Sequence, residues 1–167
     1  MKRTTAPTDT PPEAASAPPT SPELWSAILR TCGSFNLRKA TRVVTQLYDD
    51  ILQPTGLRST QVVLLVALAA EGEMSVSYMA RQLLMSPSTL SRTLLPLARA
   101  GLINSTAHGQ RGKLVRLTAA GERALHQAMP YWQKAQDKFL GQVGAAAWTE
   151  LNEKLAGIVA ATQHSRL

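Results

Sequence analysis

Between Glu73 and Glu122 the sequence contains no acid, yet it carries Arg81, Arg92, Arg99, Arg111, Lys113 and Arg116. Those six cations give the segment a net charge of +6, against +7 for the whole chain. Guanidinium and ammonium groups gathered without carboxylates form a footprint for a polyanion, and duplex DNA suits so compact a segment best. Hydroxyls accompany the charge: Ser86, Ser88 and Thr89 open a predicted helix. At about 100° per residue, Ser88, Arg92 and Arg99 share one face of that helix, and Leu90, Leu94 and Leu97 share the other. A helix start of this kind offers side chains and N–H groups to a phosphate, and an arginine behind it can span a base edge in the major groove. Arg92 is the candidate base reader, with Ser86, Ser88 and Thr89 beside it, while Arg81 and Arg99 are assigned to phosphates. Gly109 and Gly112 flank Arg111 at a predicted hairpin tip, with Lys113 next to it, and a guanidinium on so flexible a loop suits a narrow, electronegative minor groove.

Other chemistries find no set of residues. No nucleophile, base and orienting acid come together, and no Gly-rich phosphate cradle is present, so an enzyme is not expected. The single cysteine, Cys32, can neither close an internal disulfide nor anchor a zinc site alone, and His108, His126 and His164 lack ligand spacing. No metal or other cofactor is expected. Aromatic residues are only 5% of the chain, which argues against base stacking on single strands. The longest apolar run, Val62 to Ala70, falls far short of a membrane span, and the start of the chain has no apolar core for a signal peptide. The expected location is the cytoplasm, away from the membrane.

The remaining elements must hold the cationic segment. Residues 1–20 are rich in Pro, Thr, Ser and Ala and read as a disordered tail. Ser21-Pro22-Glu23 starts a long helix whose apolar stripe runs to Gln53, and Gly33-Ser34 marks either a kink or a join between two helices. Val62 to Ala70 is read as the central core helix, buried all round and capped by Ser59 or Thr60. A helix with Val76, Met79, Ala80, Leu83 and Leu84 on one face, a tight turn and the Ser86 helix then make a helix-turn-helix. Gly101 closes it, and Pro96 removes one hydrogen bond from its second half. Leu102 to Ala107 and Lys113 to Thr118 form a two-stranded wing. From Thr118 a long helix runs to about Gly141, with a kink expected at Pro130. After Gly144, the stripe Trp148, Leu151, Leu155, Ile158 and Thr162 has the three-and-four spacing of a helix-to-helix seam. The fold class is thus mainly α with a small β-hairpin wing. A winged helix-turn-helix lobe at 57–118 lies between dimerisation helices at 21–54 and 119–165, within one domain spanning 21–167.

Leu37 to Leu68, Met79 to Ile103 (MARQLLMSPSTLSRTLLPLARAGLI) and Val115 to Leu125 (VRLTAAGERAL) together resemble the MarR family of winged helix-turn-helix regulators over roughly residues 30–163. The resemblance implies a homodimer whose first and last helices make the interface, and which binds double-stranded DNA at a palindromic operator. It also implies a small aromatic or phenolic effector, bound between the dimer region and the reading lobe, that releases the operator. The family's wing usually carries Asp-x-Arg. Arg111 matches the arginine, but Gly109 stands in place of the acid and removes the carboxylate that braces the loop.

Arg42 is the candidate partner for an effector's carboxylate, with Tyr48, Trp25 and Trp132 as walls. Arg38, Lys39 and Arg42 also read as a solvated face able to pair with Asp49 or Asp50. A hydroperoxide-sensing branch of the family has a reactive cysteine near the start of its first helix, but counting from Arg42 and Tyr48 puts that position at about Ser34. Cys32 therefore reads as a buried thiol, with redox sensing as the alternative. The expected function is a regulator, most simply a repressor, and the rival class is an architectural protein that coats DNA without reading it.

Overall fold

The computed structural model describes residues 21–107 and 112–164. The 1–20 tail and the loop bearing Arg111 lie outside the described residues. Contacts divide the chain after Lys39 into two units.

In the first unit, α1 (Pro22–Thr31) starts as its sequence dictates. Ser21 Oγ accepts the Leu24 N–H at 3.3 Å and Pro22 takes the first helical position. A bond to its own backbone N–H, then one from Ser21, hold the Glu23 carboxyl below the usual carboxylate range. The helix stops at Cys32, whose ψ of 111° is extended. The Asn36 amide donates to the Arg30 and Cys32 carbonyls, both at 3.0 Å, and steadies the break. The Gly33-Ser34 signal is therefore a join between two helices, the second being α2 (Gly33–Leu52).

The second unit holds the core. After α2, a 3-10 turn at Gln53–Thr55 ends on Gly56 with φ of 70°. α3 (Ser59–Glu71) buries Val62, Leu64, Leu65 and Leu68, yet Val63 is 50% and Val66 42% exposed. The expectation of burial all round is corrected by that bare side. The cap is corrected too, because Ser59 is the first helical residue and is held by Asp49 of α2. Both the Ser59 N–H and its hydroxyl donate to the Asp49 carboxylate at 2.7 Å, with Arg58 3.7 Å away on its other oxygen. Asp50 accepts from Gln46 at 2.6 Å, so neither acid has the partner among Arg38, Lys39 and Arg42 that the sequence suggested.

β1 (Met74–Ser75), α4 (Val76–Gln82), α5 (Pro87–Arg99), β2 (Ile103–Ala107) and β3 (Lys113–Leu117) follow, then α6 (Ala119–Val143) and α7 (Ala145–His164). The sheet is antiparallel in the order β1-β3-β2, with Met74 opposite Val115 and Ile103 opposite Leu117. β1, at two residues, is too short to show a period and went unpredicted. Thr118 caps α6 by accepting the Gly121 N–H at 3.0 Å, and Pro130 lies inside one continuous helix. Gly121 is required there: a Cβ on it would lie 2.0 Å from the Leu102 carbonyl oxygen, so only glycine lets α6 start so close to the wing. Leu52, Leu64, Leu65, Leu68, Met79, Leu90 and Leu97 are fully buried and fix α3, α4 and α5 against one another.

Candidate nucleic-acid interface

α4 and α5 meet through a turn built on two caps. Ser75 Oγ accepts the Tyr78 N–H at 3.1 Å and starts α4. Its end is closed by Met85 N–H donating to Ala80 O at 2.8 Å and Leu84 N–H to Arg81 O at 3.2 Å, a Schellman pattern. Leu84 therefore takes φ of 53° and is 58% exposed, not on one helix face with the buried Met79 and Ala80 as the sequence suggested. α5 ends in the same pattern, with Leu102 N–H on Leu97 O and Gly101 N–H on Ala98 O, both at 3.0 Å, but with glycine at the left-handed position.

The start of α5 concentrates hydroxyls. Ser86 Oγ accepts the Thr89 N–H at 3.1 Å and lies 3.0 Å from Ser88 Oγ and 2.8 Å from Thr89 Oγ1. Ser86 is thus the helix cap. Pro87 has no N–H and Thr89's is used, so Ser88 is the first-turn donor that the cap leaves for an anion.

Leu90, Leu94 and Leu97 bury one face of α5 against the core, and Ser88, Arg92 and Arg99 are exposed on the other, as their spacing predicted. Arg81 is exposed on α4, its guanidinium 5.9 Å from the Tyr78 ring centre. Lys113 opens β3 and, with Ser91, Leu95 and Ser105, lines a small gap of about 90 Å³ between α5 and the base of the wing. Arg116 lies elsewhere, lining a cleft with Glu73, Glu122 and His126. One of the six cations thus leaves the footprint. Leu95 and Pro96 are also exposed on α5, and the sequence reading did not count them in the DNA-facing surface. Their signal was present, since neither belongs to the Leu90–Leu94–Leu97 stripe.

The candidate effector residues divide between two clefts. Tyr48 and Trp132 line one of about 260 Å³ with Val44, Thr45, Ser59, Thr60 and Val63. The Tyr48 hydroxyl donates to Gln136 of α6, and burial raises its pKa above the usual phenol range. Arg42 borders another, of about 570 Å³, with Lys138, Asp50 and Phe139. Arg42 and Tyr48 therefore do not form one site. Trp25, exposed on α1, belongs to the first unit, and Cys32 is half-buried at the α1–α2 join, not buried as expected. The link from Asp49 to Ser59 escaped the sequence reading because it depends on where α3 begins in space.

These features define a DNA-binding transcriptional regulator of the winged helix-turn-helix class. The profile of the MarR family matches residues 57–110. Among solved structures, the transcriptional regulator MosR of M. tuberculosis in complex with DNA is 31% identical, with 81% of this chain and 99% of that one covered and a TM-score of 0.73. A MarR family regulator from Rhodococcus sp. RHA1 is 22% identical over 83% of this chain and 97% of its own, with a TM-score of 0.66. PcaV of Streptomyces coelicolor, solved with its natural ligand, is 21% identical over 80% and 96%, with a TM-score of 0.70. No curated protein matches the sequence. The chain belongs to the MarR family.

Among the described residues no single helix is long and apolar enough to cross a membrane.

Proposed function

We propose that the protein is a homodimeric repressor that lays one α5 into each of two successive major grooves of a palindromic operator. The observation that carries this reading is the division of α5, with Leu90, Leu94 and Leu97 buried and Ser88, Arg92 and Arg99 outward on an acid-free segment. Arg92 reads base edges, Ser88 and Thr89 assist it, Arg81, Arg99 and Lys113 hold phosphates, and Arg111 enters the minor groove. Exposed apolar residues favour pairing of two copies: Trp25, Ile28 and Leu29 on α1, Val43 on α2, and Leu151, Ile158 and Val159 on α7. A two-fold dimer then matches half-sites about 34–36 Å apart.

The effector is an aromatic or phenolic molecule held in the Tyr48–Trp132 cleft. Its lining carries hydroxyls and no charged side chain, which favours a neutral phenol over a carboxylate. The cleft touches α2, the start of α3 and α6, so an occupant there acts on the Asp49–Ser59 link between α2 and the reading lobe. PcaV, the relative solved with its natural ligand, supports a ligand-responsive regulator.

Binding-site selection followed by competition tests the reading. A specific dimer prefers its selected palindrome to bulk DNA by about 10³-fold or more. A monomer in sedimentation, or equal retention of random fragments, would defeat it and favour a coating protein. Thermal shifts with phenols and with aromatic acids test the effector class, and stabilisation by the acids alone would overturn the neutral-ligand assignment.

A further inference from the structure

On the reading that α5 is the groove helix, we infer that Leu95 recognises a thymine methyl next to the base contacted by Arg92. Leu95 is 47% exposed, although its helix already has a complete inward stripe. It lies three residues after Arg92, four before Arg99 and four after Ser91, and residues so spaced are surface neighbours on a helix. The proposed DNA-facing surface thus carries a branched aliphatic group between two guanidiniums, and Pro96, also exposed, extends the apolar step.

Phosphates offer nothing to such a group. In the major groove the apolar feature that distinguishes one base pair from another is the C5 methyl of thymine. Leu95 also borders the gap of about 90 Å³ whose other lining residues include Ser105 and Lys113, so the wing base flanks its side chain. Three residues advance a helix by about 4.5 Å, close to the roughly 3.4 Å between successive bases of a strand. The methyl that Leu95 covers therefore belongs to a base pair one step along from the one that Arg92 reads.

The test uses the full chain and its selected operator, with each symmetric pair of thymines replaced in turn by deoxyuridine, which lacks only the methyl. Wild-type protein should lose about fourfold per half-site at one symmetric pair, the effect of exposing one methyl-sized group, and little at the others. Leu95→Ala should bind the thymine operator about as weakly as wild type binds the critical uracil operator, with no further loss on uracil. If every uracil operator binds wild type within about twofold, or if Leu95→Ala keeps the full thymine dependence, the assignment is overturned. The uracil series on wild type decides even where the variant folds poorly. Failure to select any sequence would sink the groove-helix reading and Leu95's role with it, whereas a selected operator indifferent to uracil sinks the Leu95 role alone.

Discussion

The surface of α5 and the paired surfaces of α2 and α6 are both rich in exposed side chains, but they are exposed for different reasons. On α5 hydroxyls and arginines surround the exposed Leu95 and Pro96, with no carboxylate in the segment to compete for the cations. On α2 and α6 charges of both signs mix with bare aliphatics: Arg42, Asp50 and Lys138 share a cleft with Val43 and Val143. A surface for a polyanion needs unopposed charge, whereas a surface for protein or a small molecule needs apolar area with orienting polar groups. Two links join these regions, Asp49 on the start of α3 and Gly121 under the wing base.

The largest effect is expected at Gly121. Its missing side chain lets the Leu102 carbonyl approach to where a Cβ would be only 2.0 Å away, so Gly121→Ala forces backbone apart. Thermal or urea unfolding should show a loss of about 3 kcal/mol, and an unchanged midpoint would mean that α6 and the wing can separate freely. Next is Arg92→Ala, set against Lys154→Ala on α7, where the lysine pairs with Glu150. Loss of Arg92 should reduce operator discrimination by about 1–3 kcal/mol, read by anisotropy against a scrambled duplex. Loss of Lys154 should leave binding unchanged although it removes the same formal charge. Equal losses from the two variants would reduce the contrast between regions to net charge alone.

The residues that sequence could place are those whose neighbours along the chain decide their environment. Ser88, Arg92 and Arg99 follow from the period of α5, and the Thr118 and Ser86 caps follow from local chemistry. The residues it misplaced depend on contacts distant in the chain. Asp49 reaches Ser59 only because α2 and the start of α3 are brought together, and Val63 and Val66 look like core until the packing leaves one side of α3 bare. Arg116 counted toward the cationic footprint until the fold of β3 placed it in a separate cleft with Glu73 and Glu122. Leu84 was placed on one face with Met79 and Ala80 because a helical period carries no notice of a Schellman turn without glycine.

Asp49→Ala sharpens the comparison at the other link. It strips the Ser59 amide and hydroxyl of their acceptor, and the loss expected for a helix cap is about 1–2 kcal/mol. Operator affinity should fall as well, since α3 supports α5; unaltered affinity at equal folded fraction would mean that α2 does not steady the reading lobe. Leu84→Gly tests the reading lobe in the opposite direction. The left-handed φ of 53° is costly for leucine and free for glycine, as at Gly101, so stability should rise by about 1 kcal/mol. A decrease would show that the exposed leucine makes a contact worth more than its backbone strain.

The smallest effect is a pH dependence confined to the α2–α6 side. Burial raises the Tyr48 pKa, so the folded state favours the neutral phenol, whose hydroxyl donates to Gln136. With the folded value above the unfolded one, this contribution is complete below the unfolded phenol pKa, about 10, and is lost as pH rises through the folded value. Tyr48→Phe should therefore be less stable than wild type at neutral pH by about 1 kcal/mol, the worth of one hydrogen bond. The gap between the two should narrow above about pH 10, because phenylalanine has no proton to lose while the other titrating groups are common to both. Urea midpoints of the pair measured from neutral to alkaline pH check this. A gap that stays constant would mean that water reaches the Tyr48 hydroxyl as freely in the folded chain as in the unfolded one, and the cleft beside it would then lose its claim to favour an uncharged guest.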